Sequence, residues 1–134
     1  RMGGSRVVLE GSDVTIATYG DIVFEAIGAS AILAKEGIRA EVIDLYSVKP
    51  FDADTLIKSL DKTGALVVAE NHQKRNGLGY ELSNFCLKNK VVPFDNLGLE
   101  DTFAESGSYA KLLEKYGLSR QHIAGAARRL LGRG

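Results

Sequence analysis

The 134-residue chain holds one cysteine, two prolines, two histidines and no tryptophan. A single Cys86 excludes an internal disulfide and any metal site built from several cysteines. It falls among Leu82, Phe85 and Leu87, the setting of a buried and inert thiol. Two histidines without a His-Glu-x-x-His pattern argue against a metal centre. Lys and Arg total 17 and Asp and Glu total 17, so the formal charge is zero. No basic excess points to nucleic acid or to an anionic membrane. A zero balance also does little to keep copies apart, which leaves room for a partner surface. No apolar run is long enough to span a bilayer and no signal-peptide pattern is present, so a cytoplasmic protein is expected. The opening Arg1-Met2-Gly3-Gly4-Ser5, with Met second, reads as a tag or linker remnant or as a cut from a longer chain.

What is present is the composition of one soluble globular domain over residues 1–134, with 45% apolar and 25% charged residues. No repeat or linker divides it. Val7-Val8-Leu9 is a short apolar run closed by Gly11-Ser12-Asp13, and Val14 to Thr18 is a β-branched strand bounded by Gly20. Asp21 can cap a helix that runs to about Glu36 and stops at Gly37, with Val23, Ala26, Ile27, Ala31 and Ala34 at helical spacing. Gly28 and the alanines make this helix thin enough to lie close to a sheet. Ala40 to Leu45 reads as a strand. Asp52 caps a helix with Leu56, Ile57 and Leu60 on its apolar stripe and Gly64 as its stop.

The unbroken apolar run Ala65–Ala69 fits a central parallel strand covered on both faces. A helix then starts near Gly77 or Leu78, with Leu78, Leu82, Phe85 and Cys86 on one face. Val91-Val92-Pro93-Phe94 is the last strand. Its proline cannot donate to a ladder, which places it at a sheet edge. The stretch from Leu97 to Ser108 reads as a loop, and Ser108 and Ser119 as caps of two final helices, the first ending at Gly117. Ile123, Ala126, Ala127 and Leu130 share a face of the second. Alternation of this kind gives a mostly parallel sheet with helices on both faces. The turn between Leu9 and Val14 is too short for a crossover, so the first strand must join antiparallel.

The candidate site is Glu70-Asn71-His72-Gln73-Lys74-Arg75-Asn76-Gly77-Leu78-Gly79. It joins the carboxyl end of a strand to the start of a helix, where α/β sheets bind ligands. Glu70 could act as acid or base and His72 as proton carrier or phosphate contact. Alternatively, Glu70 accepts backbone hydrogen bonds and His72 faces a partner surface. Gly77 and Gly79 could admit a phosphate, but the third glycine of a dinucleotide fingerprint is replaced by Leu82, and the Gly-Lys-Ser/Thr of a phosphate loop is missing. A tight turn with close helix–sheet packing is the stronger reading. Lys49 could touch an anion, though Lys49-Pro50-Phe51-Asp52 is explained by X-Pro geometry and a cap. His122 reads as solvated beside a capping serine, and Arg128, Arg129 and Arg133 as a solvated helix end. No Gly-x-Ser-x-Gly elbow occurs. The architecture is site-like without a convincing catalytic set.

The pieces, taken in order, resemble the C-terminal domain of transketolase and its thiamine-diphosphate relatives. They are Glu10–Gly20, Val42-Ile43-Asp44-Leu45, Val48–Asp52, Val67–His72, Gly77-Leu78-Gly79, Leu97-Gly98-Leu99, Phe103-Ala104-Glu105-Ser106-Gly107 and Leu112–Leu118. They cover about Gly11 to Leu131. The ending from Phe103 looks most similar to split transketolases. Deoxyxylulose-phosphate synthase and the β subunit of 2-oxoacid dehydrogenases are the near alternatives. One departure is Asn76, where the family usually carries glycine. The resemblance implies a three-layer α/β/α fold with a five-stranded mixed sheet of order 1-3-2-4-5 and strand 1 antiparallel.

It also implies an enzyme of carbohydrate metabolism that moves a two-carbon ketol unit between sugar phosphates. Thiamine diphosphate and Mg or Ca would be held by other domains, and no cofactor or metal by this one. The implied partners are the N-terminal thiamine-diphosphate-binding domains or subunit, in a homodimeric assembly. Glu70, Asn71, His72, Gly77 and Gly79 would then form an interdomain or anion-contact loop with no catalytic residue. A small anion- or nucleotide-binding regulatory domain is the second hypothesis. A flavodoxin-like electron carrier is weakened by the missing tryptophan and the missing Ser/Thr-rich phosphate loop.

Overall fold

The computed structural model describes residues 6–45, 53–71, 78–99 and 118–133. Its strands are β1 Arg6–Leu9, β2 Val14–Thr18, β3 Ala40–Asp44, β4 Leu66–Asn71 and β5 Phe94–Leu99. Its helices are α1 Ile22–Ala34, α2 Ala53–Thr63, α3 Leu78–Asn89 and α4 Arg120–Leu130. The sheet runs β1-β3-β2-β4-β5, with β1 antiparallel to β3 and every other pair parallel. This is the expected mixed sheet.

Strand alternation sends side chains to two cores. Val14, Ile16, Val42, Val67 and Ala69 pack with Ala26, Ala29, Leu33, Ile123 and Ala127 under α1 and α4. Ala17, Ile43, Leu66 and Val68 pack with Leu56, Leu60, Leu78, Leu82 and Cys86 under α2 and α3. The central strands β2 and β3, and β4 from Leu66 to Glu70, are therefore buried on both faces, as parallel strands covered by helices are. Gly37 ends α1 at φ 79°, where Ile38 N–H reaches back to the Leu33 carbonyl at 3.0 Å. That is the left-handed stop expected of a glycine after a helix.

Two sequence readings are corrected. The last strand is Phe94–Leu99, while Val91–Pro93 lie outside it and the expected loop from Leu97 begins inside it. Asp95, Asn96 and Gly98 are poor strand formers, yet the ladder to β4 runs from Leu66↔Phe94 to Asn71↔Leu99. Pairing overrides propensity here. Pro93 stands just before the strand, where its carbonyl accepts Leu66 N–H at 3.0 Å and its missing N–H costs nothing.

The buried face of α1 is also rotated. Ile22, Val23, Ala26, Gly28, Ala29 and Leu33 are buried, while Ala31 and Ala34 are exposed. Small residues on every side of this helix blunt the periodicity that should locate its inner face. Gly28 serves a neighbouring helix rather than the sheet, because a Cβ there would strike the Arg120 guanidinium of α4. The expected caps Asp52 and Ser108, Lys49-Pro50-Phe51 and the helix ending at Gly117 lie outside the described residues.

Candidate functional site

The carboxyl ends of β2, β3 and β4 lie side by side, and β4 delivers Glu70 to the start of α3. Glu70 is 1% exposed. Its Oε1 accepts Leu78 N–H at 3.0 Å and its Oε2 accepts Gly79 N–H at 2.8 Å. These are the first two N–H groups of α3, which have no partner inside the helix. The positive end of the helix dipole meets a carboxylate carried by the preceding strand. Leu66, Val68 and Glu70 share one face of β4, so the strand's own register aims Glu70 at α3.

Gly79 makes room on the other side. A Cβ at Gly79 would run into the Asn96 side chain of β5. Leu78 and Leu82 are fully buried beneath the same helix. Glu70, Asn71 and Gly79 are thus brought into one strand-to-helix junction, with Asn71 as the last residue of β4. His72 and Gly77, the other members of the expected loop, lie outside the described residues.

At the neighbouring strand ends, Thr18 and Asp44 are paired in register across β2 and β3. Among the described residues, Thr18 Oγ1 and Asp44 Oδ1 are buried without a hydrogen-bond partner. Burial pushes the Asp44 carboxyl above its ordinary range, against the pull of Arg6 at 3.7 Å. Sequence reasoning passed over both residues as ordinary strand positions. Their signal was the polar side chain ending each of two adjacent apolar strands.

A second polar cluster sits at the opposite end of the sheet. Glu41 is almost fully buried, and its Oε1 accepts Gly11 N–H at 3.0 Å and pairs with Lys62 Nζ at 2.6 Å. Burial works to raise its pKa, but the bonds from Lys62, Gly11 and Ser59 hold the carboxyl below its ordinary value. Thr15 Oγ1 continues the chain to Ser59 Oγ at 2.7 Å and Thr63 Oγ1 at 2.6 Å. Every polar group here has a partner, as buried networks require. The cluster locks α2 onto the sheet.

The α4 cap corrects the sequence reading. Ser119 has the extended backbone of an N-cap, but its Oγ bonds His122 Nδ1 at 2.9 Å rather than the helix. Glu25 of α1 instead accepts Arg120 N–H at 2.9 Å, and its carboxylate also takes the Arg120 side chain at 3.3 Å. The Arg120 side-chain bond holds the Glu25 carboxyl below its ordinary value. Asp21 likewise makes no side-chain cap bond to α1. His122 is half-buried and bonded rather than simply solvated, and Arg128 pairs with Glu36 at 2.7 Å rather than ending freely in solvent. Cys86 is buried and free, and burial raises its thiol pKa.

Chemically, the junction suits a fixed clamp. The first two α3 donors, Leu78 and Gly79 N–H, are already bonded to Glu70. Among the described residues no group of three or more His, Cys, Asp or Glu could hold a metal. At the described part of this junction, the Leu78 and Gly79 N–H groups meet the Glu70 carboxylate rather than standing open to a diphosphate. No described helix is long and apolar enough to cross a membrane.

Comparison with known proteins agrees with this fold. Residues 3–123 match the family described as transketolase, C-terminal domain. The chain is 41% identical over 126 residues to the 6-deoxy-6-sulfo-D-fructose transketolase subunit SqwH of Clostridium sp. (strain MSTE9), covering 94% of this chain and 39% of that protein. It is 36% identical over 137 residues to the mitochondrial pyruvate dehydrogenase E1 component subunit beta of Dictyostelium discoideum, covering 98% of this chain and 38% of that one. A solved structure described as a split gene transketolase, inactive beta4 tetramer, superposes with TM-score 0.85 at 36% identity, over 96% of this chain and 42% of that one. The chain thus spans about two fifths of the length of these relatives. With its sheet order and its strand-to-helix junction, it belongs to the transketolase C-terminal domain family.

Proposed function

We propose that this chain is the C-terminal section of a thiamine-diphosphate-dependent transketolase that moves a two-carbon ketol unit between sugar phosphates. In this reading the domain supplies assembly surface and site rim, and no catalytic group. The observation that carries it is the Glu70 carboxylate, buried and bonded to the first two N–H groups of α3. A group held this way shapes a loop and has no open geometry for proton transfer. Glu70, Asn71, His72, Gly77 and Gly79 would face the thiamine-diphosphate-binding domains or subunit, which would hold the cofactor and its Mg or Ca. Copies of the chain would associate, as the beta4 tetramer described for the split transketolase supports.

Two relatives described as a transketolase or its subunit support this reading; a pyruvate dehydrogenase E1 β subunit and a deoxyxylulose-phosphate synthase are relatives of similar identity and keep those activities as the alternatives. The anion- or nucleotide-binding alternative is disfavoured, since its donors at Leu78 and Gly79 are bonded to Glu70. The test has two arms. Calorimetry of the chain alone with thiamine diphosphate and Mg2+ should show no binding. Mixed with the thiamine-diphosphate-binding subunit, the chain should restore ketol transfer from a ketose phosphate to an aldose phosphate. Stoichiometric cofactor binding by the chain alone would sink the proposal, as would a mixture that decarboxylates a 2-oxoacid instead.

A further inference from the structure

Helix α3 carries two apolar faces. The inner one, Leu78, Leu82 and Cys86, is buried against the sheet. The outer one is not covered: Tyr80 is 72% exposed, Leu87 70%, and Val91, just beyond the helix, 76%. Tyr80 and Leu87 are seven residues apart on the helix, so they share one stripe, and Val91 borders the same groove as Leu87. Beside the stripe lies an apolar groove of about 180 Å3, walled by Cys86, Leu87, Val91, Val92 and Phe94. Single exposed apolar residues need no explanation, but a stripe with a groove beside it marks a contact surface.

We propose that this face is where two copies of the chain meet, with α3 of one lying antiparallel to α3 of the other. The proposal rests on the self-association in the functional reading above. It names the surface, and its occupant is a second copy. Two-fold contacts are self-complementary, so each feature must meet its counterpart across the axis. Place that axis midway between Asn84 and Phe85. At a rise of about 1.5 Å per residue, Tyr80 then lies roughly 7 Å to one side and Leu87 roughly 4 Å to the other, with Val91 farther out beyond Leu87. Antiparallel packing puts the partner's Tyr80 between Leu87 and Val91, over the apolar groove. The groove receives a ring from the partner, and the reverse contact forms at the same time.

The charges agree with that direction. Glu81 lies in the first turn of α3 and Lys88 in the last turn. Both flank the outer stripe on the same side, at equal distances from the axis. Antiparallel packing sets Glu81 against the partner's Lys88, and this happens twice. Parallel packing would carry each copy's Glu81 and Lys88 to opposite sides of the seam and lose this pairing. A formal net charge of zero adds no general repulsion between copies.

Sedimentation velocity of this chain over a wide concentration series tests the proposal. The expected result is a concentration-dependent dimer. Leu87→Glu and Tyr80→Glu should each weaken self-association by about tenfold or more, because each places a charge in a desolvated contact. Both positions are exposed in the single chain, so melting at concentrations where the parent is monomeric should be unchanged, which separates loss of the dimer from loss of the fold. Glu81→Lys or Lys88→Glu alone should weaken the dimer, and the double exchange should restore it. A monomer at every concentration would overturn the proposal. So would a dimer indifferent to Leu87→Glu, or a double exchange that fails to recover. The functional reading is checked separately by ketol transfer in the mixture with the thiamine-diphosphate-binding subunit. Transfer retained with no α3 dimer leaves that reading standing and this one fallen. Loss of subunit binding in Leu87→Glu, from a chain that is monomeric alone, assigns the face to the other subunit and also refutes the dimer.

Discussion

Glu70→Gln is the perturbation that bears most directly on the candidate site. The native carboxylate accepts two N–H bonds, 3.0 Å from Leu78 and 2.8 Å from Gly79. Gln keeps the shape and volume but offers one oxygen. Its amide donor must then face one of the two N–H groups. One charge-assisted bond disappears, one weakens, and one buried N–H is left without an acceptor. Bonds to charged groups are worth about 1.5–3 kcal/mol, and an orphaned buried donor costs about 1–3 kcal/mol. A loss of about 3 kcal/mol follows, which is a large share of the roughly 5–15 kcal/mol that holds a domain folded. For a chain of this length it should lower Tm by roughly 10 °C.

The assay is thermal and urea unfolding of the parent chain beside its Glu70→Asp and Glu70→Gln variants. Asp keeps the charge one methylene short of the helix, so Glu70→Asp should fall between the other two. The competing idea, Glu70 as an acid or base held under strain for chemistry, gives the opposite sign. Functional residues commonly cost stability, and neutralising one leaves the fold unharmed or firmer. A Glu70→Gln variant that melts within about 2 °C of the parent would refute the clamp.

Gly11→Ala would drive a Cβ to 2.5 Å from the Ala40 carbonyl oxygen and 2.6 Å from the Glu41 backbone nitrogen. Backbone cannot step aside, so a loss of about 3 kcal/mol is expected in urea unfolding. Glu41→Gln should flatten the pH profile of stability. Because the folded Glu41 carboxyl titrates below its ordinary value of 4.5, its contribution is complete above that value and is lost as pH falls through the folded one. The parent should therefore lose urea resistance on the acid side of pH 4.5 more steeply than the variant does. Cys86, buried with a raised thiol pKa, should resist alkylation at neutral pH and react at the rate of unfolding, as mass spectrometry across a urea series would show.

Much of this fold was legible in the residues. The run Ala65–Ala69 could only be a strand covered on both faces, and the short turn after Leu9 required an antiparallel β1. Pro93 placed its neighbourhood at an edge, though the strand itself begins one residue later. The start of β5 was displaced because Asp95, Asn96 and Gly98 have little strand preference of their own, and the ladder to β4 decides their state. The inner face of α1 was obscured by alanines on every side. The clamp itself was hidden in another way. A local cap is visible in sequence because donor and acceptor lie two or three residues apart. Here Glu70 caps a helix eight residues ahead, and Glu25 caps one 95 residues ahead. Only the folded chain brings those pairs together. The same is true of Thr18 and Asp44, which are neighbours across the sheet and 26 residues apart along the chain.

The four residues of β1 have a protective consequence. Arg6–Leu9 cover the outer side of β3, whose Val42 and Ile43 are fully buried. β1 itself is a poor template for further strands: it is short, interrupted between Val7 and Leu9, and begins with a charged residue. Trimming the chain to start at Glu10 would leave β3 as a bare, long-lived edge with apolar side chains on both faces. Such an edge recruits strands from other molecules, so the shortened protein should precipitate or exchange segments between copies well before its core gives way.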